Sequence, residues 1–141
     1  MSFSKELIQS VWEKGTPLEG CDHDTYRYDV CGAVICRTQY GNKNADFGWE
    51  IDHIYPKSKL EKQDLTDDEI DSYINLQPLH CVNNERKSDD YPTFHVGLSH
   101  MRLFHEDEVV EIKPQFQQEI KKYFENIKME RIKAILRNIG L

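Results

Sequence analysis

The sequence contains no apolar run that approaches the length of a membrane span. Its first residues carry an acid, Glu6, where a signal peptide would need an apolar stretch, so we expect no export and a cytoplasmic location. Cysteine is also scarce, and the spacing of the four cysteines is not that of a compact disulfide framework. These absences argue against a membrane protein and against a secreted, disulfide-stapled scaffold.

Basic residues are outnumbered, with 18 Lys and Arg against 25 Asp and Glu, for a formal net charge of −7. Such a balance argues against a general nucleic-acid binder, because phosphate contacts dominate that affinity. The charge is unevenly distributed, however: residues 113–141 hold seven basic and three acidic residues, and the first 112 residues hold 11 and 22. The basic tail is either a DNA-binding element or a solvated amphipathic helix, and the sequence leaves both readings open.

A chain of 141 residues is most naturally one domain, residues 1–141. Hydrophobic periodicity predicts a helix over residues 4–13, and a long helix from Pro114 toward Asn138. The sequence Thr66-Asp67-Asp68-Glu69 is a capping box that predicts a short acidic helix over residues 66–73. Residues 29–38 are β-branched and apolar and should form a strand, and residues 108–113 could form a further strand. The fold class expected from these elements is α+β.

The residues with the clearest chemistry lie in Trp49-Glu50-Ile51-Asp52-His53-Ile54-Tyr55-Pro56. A carboxylate beside a histidine can hold a hard divalent cation and supply a general base at one point of the chain. Two asparagines follow in Asn75-Leu76-Gln77-Pro78-Leu79 and Asn83-Asn84-Glu85-Arg86-Lys87-Ser88-Asp89, and they offer neutral oxygen ligands. Arg86 and Lys87 add positive charge for a phosphate. Together these groups are what hydrolysis of a phosphodiester needs.

The order Asp-His-Ile-x-Pro, Asn-Leu-x-x-Leu and Asn-x-x-Lys-Ser-Asp resembles the HNH endonucleases, small bacterial HNH proteins in particular. The resemblance covers about residues 49–89, with a looser match from Tyr26 onward. It implies a ββα-metal finger, which is a two-stranded antiparallel hairpin plus a short helix, with its core at about 47–90. The strands of the finger would be residues 47–54 and 76–79, and its short helix residues 81–88. A flanking N-terminal helix and a C-terminal helical extension at about 114–139 would complete the fold.

The resemblance implies that His53 is the general base, that Asp52 and Asn84 are metal ligands, and that Asn75 bonds backbone near His53 to fix the intervening loop. Asn83 competes with Asn84, since neighbours on a helix point about 100° apart. Adjacent residues of a regular strand face opposite sides, so Asp52 and His53 reach one site only if the strand ends or distorts at residues 54–56. Glu50 lies on the same strand face as Asp52 and could support the metal.

Oxygen ligands favour one Mg²⁺ ion, with Mn²⁺ as the other possibility. Structural Zn²⁺ is not expected, because the pair Cys31-x₄-Cys36 is loosely spaced and His80 and Asn83 stand where a second cysteine pair would fall.

The expected function is metal-dependent hydrolysis of DNA phosphodiester bonds by an HNH-type endonuclease, with Arg86 and Lys87 holding the strand. The alternative is an HNH-fold module that binds nucleic acid or a partner protein with weak or no cleavage, and the overall acidity is its support. The sequence contains no DNA-reading motif, so it leaves open the target, the choice between DNA and RNA, and the oligomeric state.

Overall fold

The computed structural model describes residues 2–100, 102–103 and 108–140, and it divides the chain into two compact units, Met1–Glu111 and Ile112–Leu141. The first unit combines short helices with small antiparallel sheets, and the second is dominated by one long helix. The expected α+β class is therefore confirmed. The expectation of one nuclease domain over residues 1–141 stays a prediction.

The helices are α1 (Lys5–Trp12), α2 (Lys57–Leu60), α3 (Asp67–Ile70), α4 (Cys81–Lys87) and α5 (Pro114–Asn138). The strands are β1 (Thr16–Pro17), β2 (Tyr26–Tyr28), β3 (Val34–Cys36), β4 (Trp49–His53), β5 (Leu76–His80), β6 (Thr93–His95), β7 (Leu98–Ser99), β8 (Arg102–Leu103) and β9 (Val109–Glu111). They form antiparallel sheets in the orders β1-β2-β3, β4-β5, β6-β9 and β7-β8.

Local sequence signals locate most of the predicted elements correctly. Ser4 caps α1 through a hydrogen bond from Leu7 N to its hydroxyl, and Thr66 and Glu69 form the expected capping box at α3. The long helix α5 has Pro114 in its first turn and ends at Asn138, as the pattern predicts. The hairpin strands β4 and β5 and the helix α4 also lie where they were expected.

The predicted strand over residues 29–38 is wrong for most of its length, since only Val34–Cys36 is extended. Residues 29–33 form a turn because Asp29 Oδ1 accepts hydrogen bonds from the backbone N–H groups of Cys31 and Ala33, each at 2.9 Å. Gly32 has φ +84°, which a β-branched residue would not adopt, and it completes the turn. The result is a hairpin of β2 and β3, which the sequence reading did not foresee.

The core of the first unit forms where α1 packs against the β4–β5 hairpin. Its buried members are Val11, Trp12, Ile35, Trp49, Ile51 and Leu76. The rings of Trp12 and Trp49 lie 5.3 Å apart between centroids, and Tyr40 meets Trp49 edge-on at 4.9 Å. Large aromatic side chains bury much apolar area, so this cluster stabilises the packing of the β4–β5 hairpin against α1.

Asp29 and Asn83 form a buried polar hub, by which we mean the hydrogen-bonded pair and its backbone partners. Asp29 Oδ2 accepts from His80 N and from Asn83 Nδ2, each at 2.9 Å. Asn83 Nδ2 also donates to Leu98 O at 2.9 Å, while its Oδ1 accepts from Gly97 N at 2.9 Å and Leu98 N at 2.7 Å. The hub therefore ties α4 to the β2–β3 turn and to the start of β7.

The second unit presents a basic helix. Among its described residues, Ile120 and Phe124 are buried, while Lys121, Lys122, Lys133 and Arg137 are exposed. Within the described parts of the chain, no helix is both long enough and apolar enough to span a bilayer.

Asn83→Ala should destabilise the protein by about 3 kcal/mol or more, because buried donors and acceptors of the hub would lose their partners at roughly 1–3 kcal/mol each. Asn84→Ala, one position along the same helix, is the matched control and should cost less than about 1 kcal/mol. Urea unfolding followed by circular dichroism measures both. Equal losses for the two variants would contradict the assignment of the hub.

Candidate active site

The β4–β5 hairpin is followed by α4 without an intervening residue, so one face of β4 lies against α4. The register pairs Asp52 with Gln77 and His53 with Leu76, and the ladder stays regular through His53. β4 ends at His53, which agrees with the expected strand end, and the two side chains leave the strand on opposite sides. Asp52 contacts Gln77 and Lys87, whereas His53 contacts Asp71.

Asp52 lies on the face toward α4 and is only 6% exposed. Its Oδ2 accepts a hydrogen bond from Gln77 Nε2 at 2.9 Å and lies 3.4 Å from Lys87 Nζ. Burial raises the pKa of Asp52, and the charge of Lys87 and the hydrogen bond from Gln77 oppose that rise. Asp52 is therefore a carboxylate whose charge the protein interior balances with an ammonium group.

Lys87 is placed differently from the expectation that it contacts a phosphate. Its side chain is 0% exposed, and Nζ also donates to His53 O at 3.1 Å. Such an ammonium is not accessible to a DNA backbone, because the strand β4 and the helix α4 enclose it. Arg86, the other residue expected to hold the strand, is exposed.

Asn84 faces β4, whereas its neighbour Asn83 belongs to the hub. Asn84 Nδ2 donates to Glu50 Oε1 at 3.2 Å. A depression of about 230 Å³ opens here, lined by Lys43, Glu50, Cys81, Val82, Asn84 and Glu85. The carboxylate that Asn84 contacts is thus Glu50, two residues before Asp52 on the same strand face.

His53 lies on the other face of β4, toward the segment between α3 and β5. Its Nε2 lies 2.8 Å from Asp71 Oδ1, and the two side chains are 15% and 18% exposed. The ring of Phe3 lies 6.2 Å from the imidazole between centroids. His53 therefore has a carboxylate partner on one nitrogen and keeps limited access to solvent.

Asn75 holds the backbone that follows His53. Its side chain is 0% exposed, its Oδ1 accepts from Tyr55 N at 2.7 Å, and its Nδ2 donates to Tyr55 O at 3.0 Å. Its own carbonyl accepts from Ile54 N at 2.8 Å. These are the loop-fixing contacts that the resemblance implies for this residue.

The groups that would compete for a zinc ion have other partners. His80 Nδ1 accepts from Val82 N at 3.0 Å, and Nε2 lies 2.8 Å from Asp46 O, so the ring is a neutral cap with a proton on Nε2. Burial, followed by the negative charge of Glu50, raises the pKa of the Cys81 thiol to about 11. Burial also raises the pKa of Cys31, with Asp29 and Asp52 adding to the effect. In the metal-free protein both thiols are therefore protonated at neutral pH.

The donor set on the α4-facing side of β4 fits a hard cation better than a soft one. It consists of the carboxylates of Glu50 and Asp52 and the amide of Asn84, and the Lys87 ammonium already supplies a positive charge to Asp52. Among the described residues, no three His, Cys, Asp or Glu side chains are grouped to share a metal. A cation held here would depend on few protein ligands and on water or phosphate oxygens, which is how Mg²⁺ is commonly bound.

Sequence reasoning missed Asp71 and Gln77 as partners of the motif residues. Gln77 faces Asp52 across the hairpin, so pairing register would have identified it once β5 was aligned with β4. Asp71 comes from the segment between the strands, where one acid among several carries no distinguishing local signal.

Neither a protein-family model, nor a curated protein, nor a solved structure matches this chain. The HNH resemblance consequently rests on the sequence motifs alone and stays a prediction.

Lys87→Met should destabilise the protein by about 3–5 kcal/mol at neutral pH, because it leaves Asp52 buried without a cation. Losing the ammonium raises the pKa of Asp52 in the folded state, so the folded variant binds a proton more readily than the unfolded chain. The loss of stability should therefore shrink as the pH falls. Urea unfolding between about pH 7 and pH 5 measures this change.

The double variant Lys87→Met/Asp52→Asn is the control, since it removes both charges. It should be more stable than Lys87→Met at neutral pH. If both variants lose the same free energy of unfolding at every pH, Lys87 contributes to stability by packing alone.

Proposed function

We propose that this protein is a metal-dependent endonuclease that hydrolyses DNA phosphodiester bonds in the manner of the HNH enzymes it resembles. One observation carries the proposal: an antiparallel hairpin runs directly into a helix, and the motif residues occupy the end of the hairpin and the facing side of that helix. His53, Asn75, Asp52 and Asn84 are all within this arrangement.

His53 is the proposed general base, which takes a proton from the attacking water. Such a group typically contributes about 10²–10⁴ in rate. Asn75 keeps the residues after His53 in place through its two hydrogen bonds to Tyr55. Any displacement of this backbone would move the imidazole, so Asn75 acts on position and not on the proton.

Asp52 and Asn84 are the proposed ligands of one Mg²⁺ ion, with Glu50 beside them. When bound, the cation would offset negative charge on the phosphate and on the leaving oxygen. The ammonium group of Lys87 already lies next to Asp52. When the cation binds, Lys87 would share the carboxylate with it or shift away from the carboxylate. Lys87 thus already offsets the negative charge of Asp52 before substrate binds.

Substrate would be held by exposed cations, of which Arg86 on α4 is closest in sequence to the proposed ligands. Lys87 is buried, so we do not propose that it contacts the substrate. Lys121 and Lys122 on α5 are a second pair of exposed cations that could contact a phosphate backbone.

The alternative function is binding without cleavage. The observations that favour it are the overall charge of −7 and the pairing of Asp52 with Lys87, which satisfies the carboxylate without a metal. A module of this kind would bind nucleic acid or a partner protein in the same way with and without a divalent cation.

His53→Ala should reduce plasmid cleavage by at least ~10²-fold while leaving DNA affinity unchanged, because it removes proton abstraction and keeps the charged groups. The measurement is conversion of supercoiled plasmid in Mg²⁺ or Mn²⁺, with EDTA as the blank. His95→Ala, an exposed histidine on β6, is the matched control and should keep full activity. Wild-type protein that binds DNA and does not cleave it under any of these conditions would establish the alternative.

Lys121→Glu/Lys122→Glu should weaken duplex binding and flatten its salt dependence, since both side chains are exposed on α5. Each lost phosphate contact lowers the slope of log K against log salt by about 0.9. Fluorescence anisotropy over a range of salt concentrations measures affinity and slope. Lys5→Glu/Lys62→Glu makes the same change in net charge at exposed positions of the first unit. Equal effects of both pairs would show that α5 has no special role.

A further inference from the structure

We propose that Asp71 is the positioning residue of His53: it fixes the imidazole with its proton on Nε2 and leaves Nδ1 as the nitrogen that accepts a proton from water. The contact is observed directly, whereas its chemical purpose rests on the proposed nuclease function. The sequence motif contains no counterpart of Asp71.

The tautomer follows from the geometry of the contact. An ionised carboxylate has acceptors only, so at 2.8 Å from Asp71 Oδ1 a neutral His53 must carry its proton on Nε2 and donate it. Nδ1 then holds the lone pair, and within the described part of the chain it has no hydrogen-bond partner. The ring therefore has one nitrogen committed to the protein and one available for chemistry.

Asp71 is held in place by the structure around it. The capping box of Thr66 and Glu69 starts α3, and the buried side chain of Ile70 anchors that helix in the core. Asp71 then caps the end of the helix, and its N–H donates to Asp67 O at 2.9 Å. Asp71 is consequently a fixed acceptor, unlike the exposed acids Asp67 and Asp68 at the start of the same helix.

One short segment controls both the ring of His53 and the backbone after it. Asp71 begins this segment and contacts the ring, and Asn75 ends it and contacts Ile54 and Tyr55. The segment is closed by the hydrogen bond from Asn75 N to Ser72 O at 2.9 Å. Side chain and main chain are therefore located from the same rigid support, as a preorganised base requires.

In the proposed step, Nδ1 takes a proton from water while the water oxygen bonds to phosphorus. The bond from phosphorus to the leaving oxygen breaks, and that oxygen keeps the electron pair and is protonated by solvent. His53 becomes an imidazolium, and the ionised Asp71 offsets its charge, so the contact is worth more after proton transfer than before it.

The proton on Nε2 can be detected by NMR of protein labelled with ¹⁵N-histidine, at about pH 8, where a free imidazole is neutral. The expected result for the wild type is a slowly exchanging N–H assigned to His53 Nε2, identified by its loss in His53→Ala. It should disappear in Asp71→Ala and persist in Asp68→Asn. His80 Nε2, bonded to Asp46 O, gives an internal reference that should persist in every variant. A proton on His53 Nδ1, or an Nε2 proton unchanged in Asp71→Ala, would overturn the proposal.

Kinetics distinguishes a positioning role from a structural contact. Asp71→Ala should lower kcat for plasmid cleavage by at least ~10-fold with KM unchanged, and Asp71→Glu should restore part of the rate. An unchanged kcat would overturn the proposal. If the wild type shows the Nε2 signal and does not cleave DNA, the nuclease function fails, and Asp71 is reduced to a structural partner of His53.

Discussion

The carboxylate of Asp29 is the constraint on which the arrangement of the first unit depends. Buried at 3% exposure, it accepts four hydrogen bonds, two within its own turn, one from the end of β5 and one from α4. An unpaired buried carboxylate would cost several kcal/mol, so these segments are stable only in each other's presence. The orientation of α4 follows from this requirement, and with it the direction of Asn84 toward β4.

The two faces of β4 divide the polar groups into separate environments. One face, against α4, holds the ion pair of Asp52 with Lys87 and the contact of Asn84 with Glu50. The other holds His53 against Asp71.

The sequence predicted those parts of the molecule that local rules determine. Capping residues and periodicity located α1, α3 and α5, and the family resemblance located β4, β5, α4 and the contacts of Asn75. It failed where distant side chains decide. The turn at residues 29–33 looked like a strand because its β-branched composition outweighed a single Asp, whose role depends on His80 and Asn83. The burial of Lys87 was likewise invisible, since a lysine near a helix end is ordinarily solvated.

The hub also affects the expected order of folding, because it joins residues that are far apart along the chain. Asp29 and Asn83 are separated by 54 positions, whereas His53 and Asp71 are separated by 18 and Tyr55 and Asn75 by 20. Closing a longer loop costs more chain entropy and delays the contacts that depend on it. The hairpin with its imidazole and supporting segment can therefore form early in folding. From this loop-entropy argument we expect the hub to form after the contacts of His53 and Asn75, so that α4 takes its final direction late in folding.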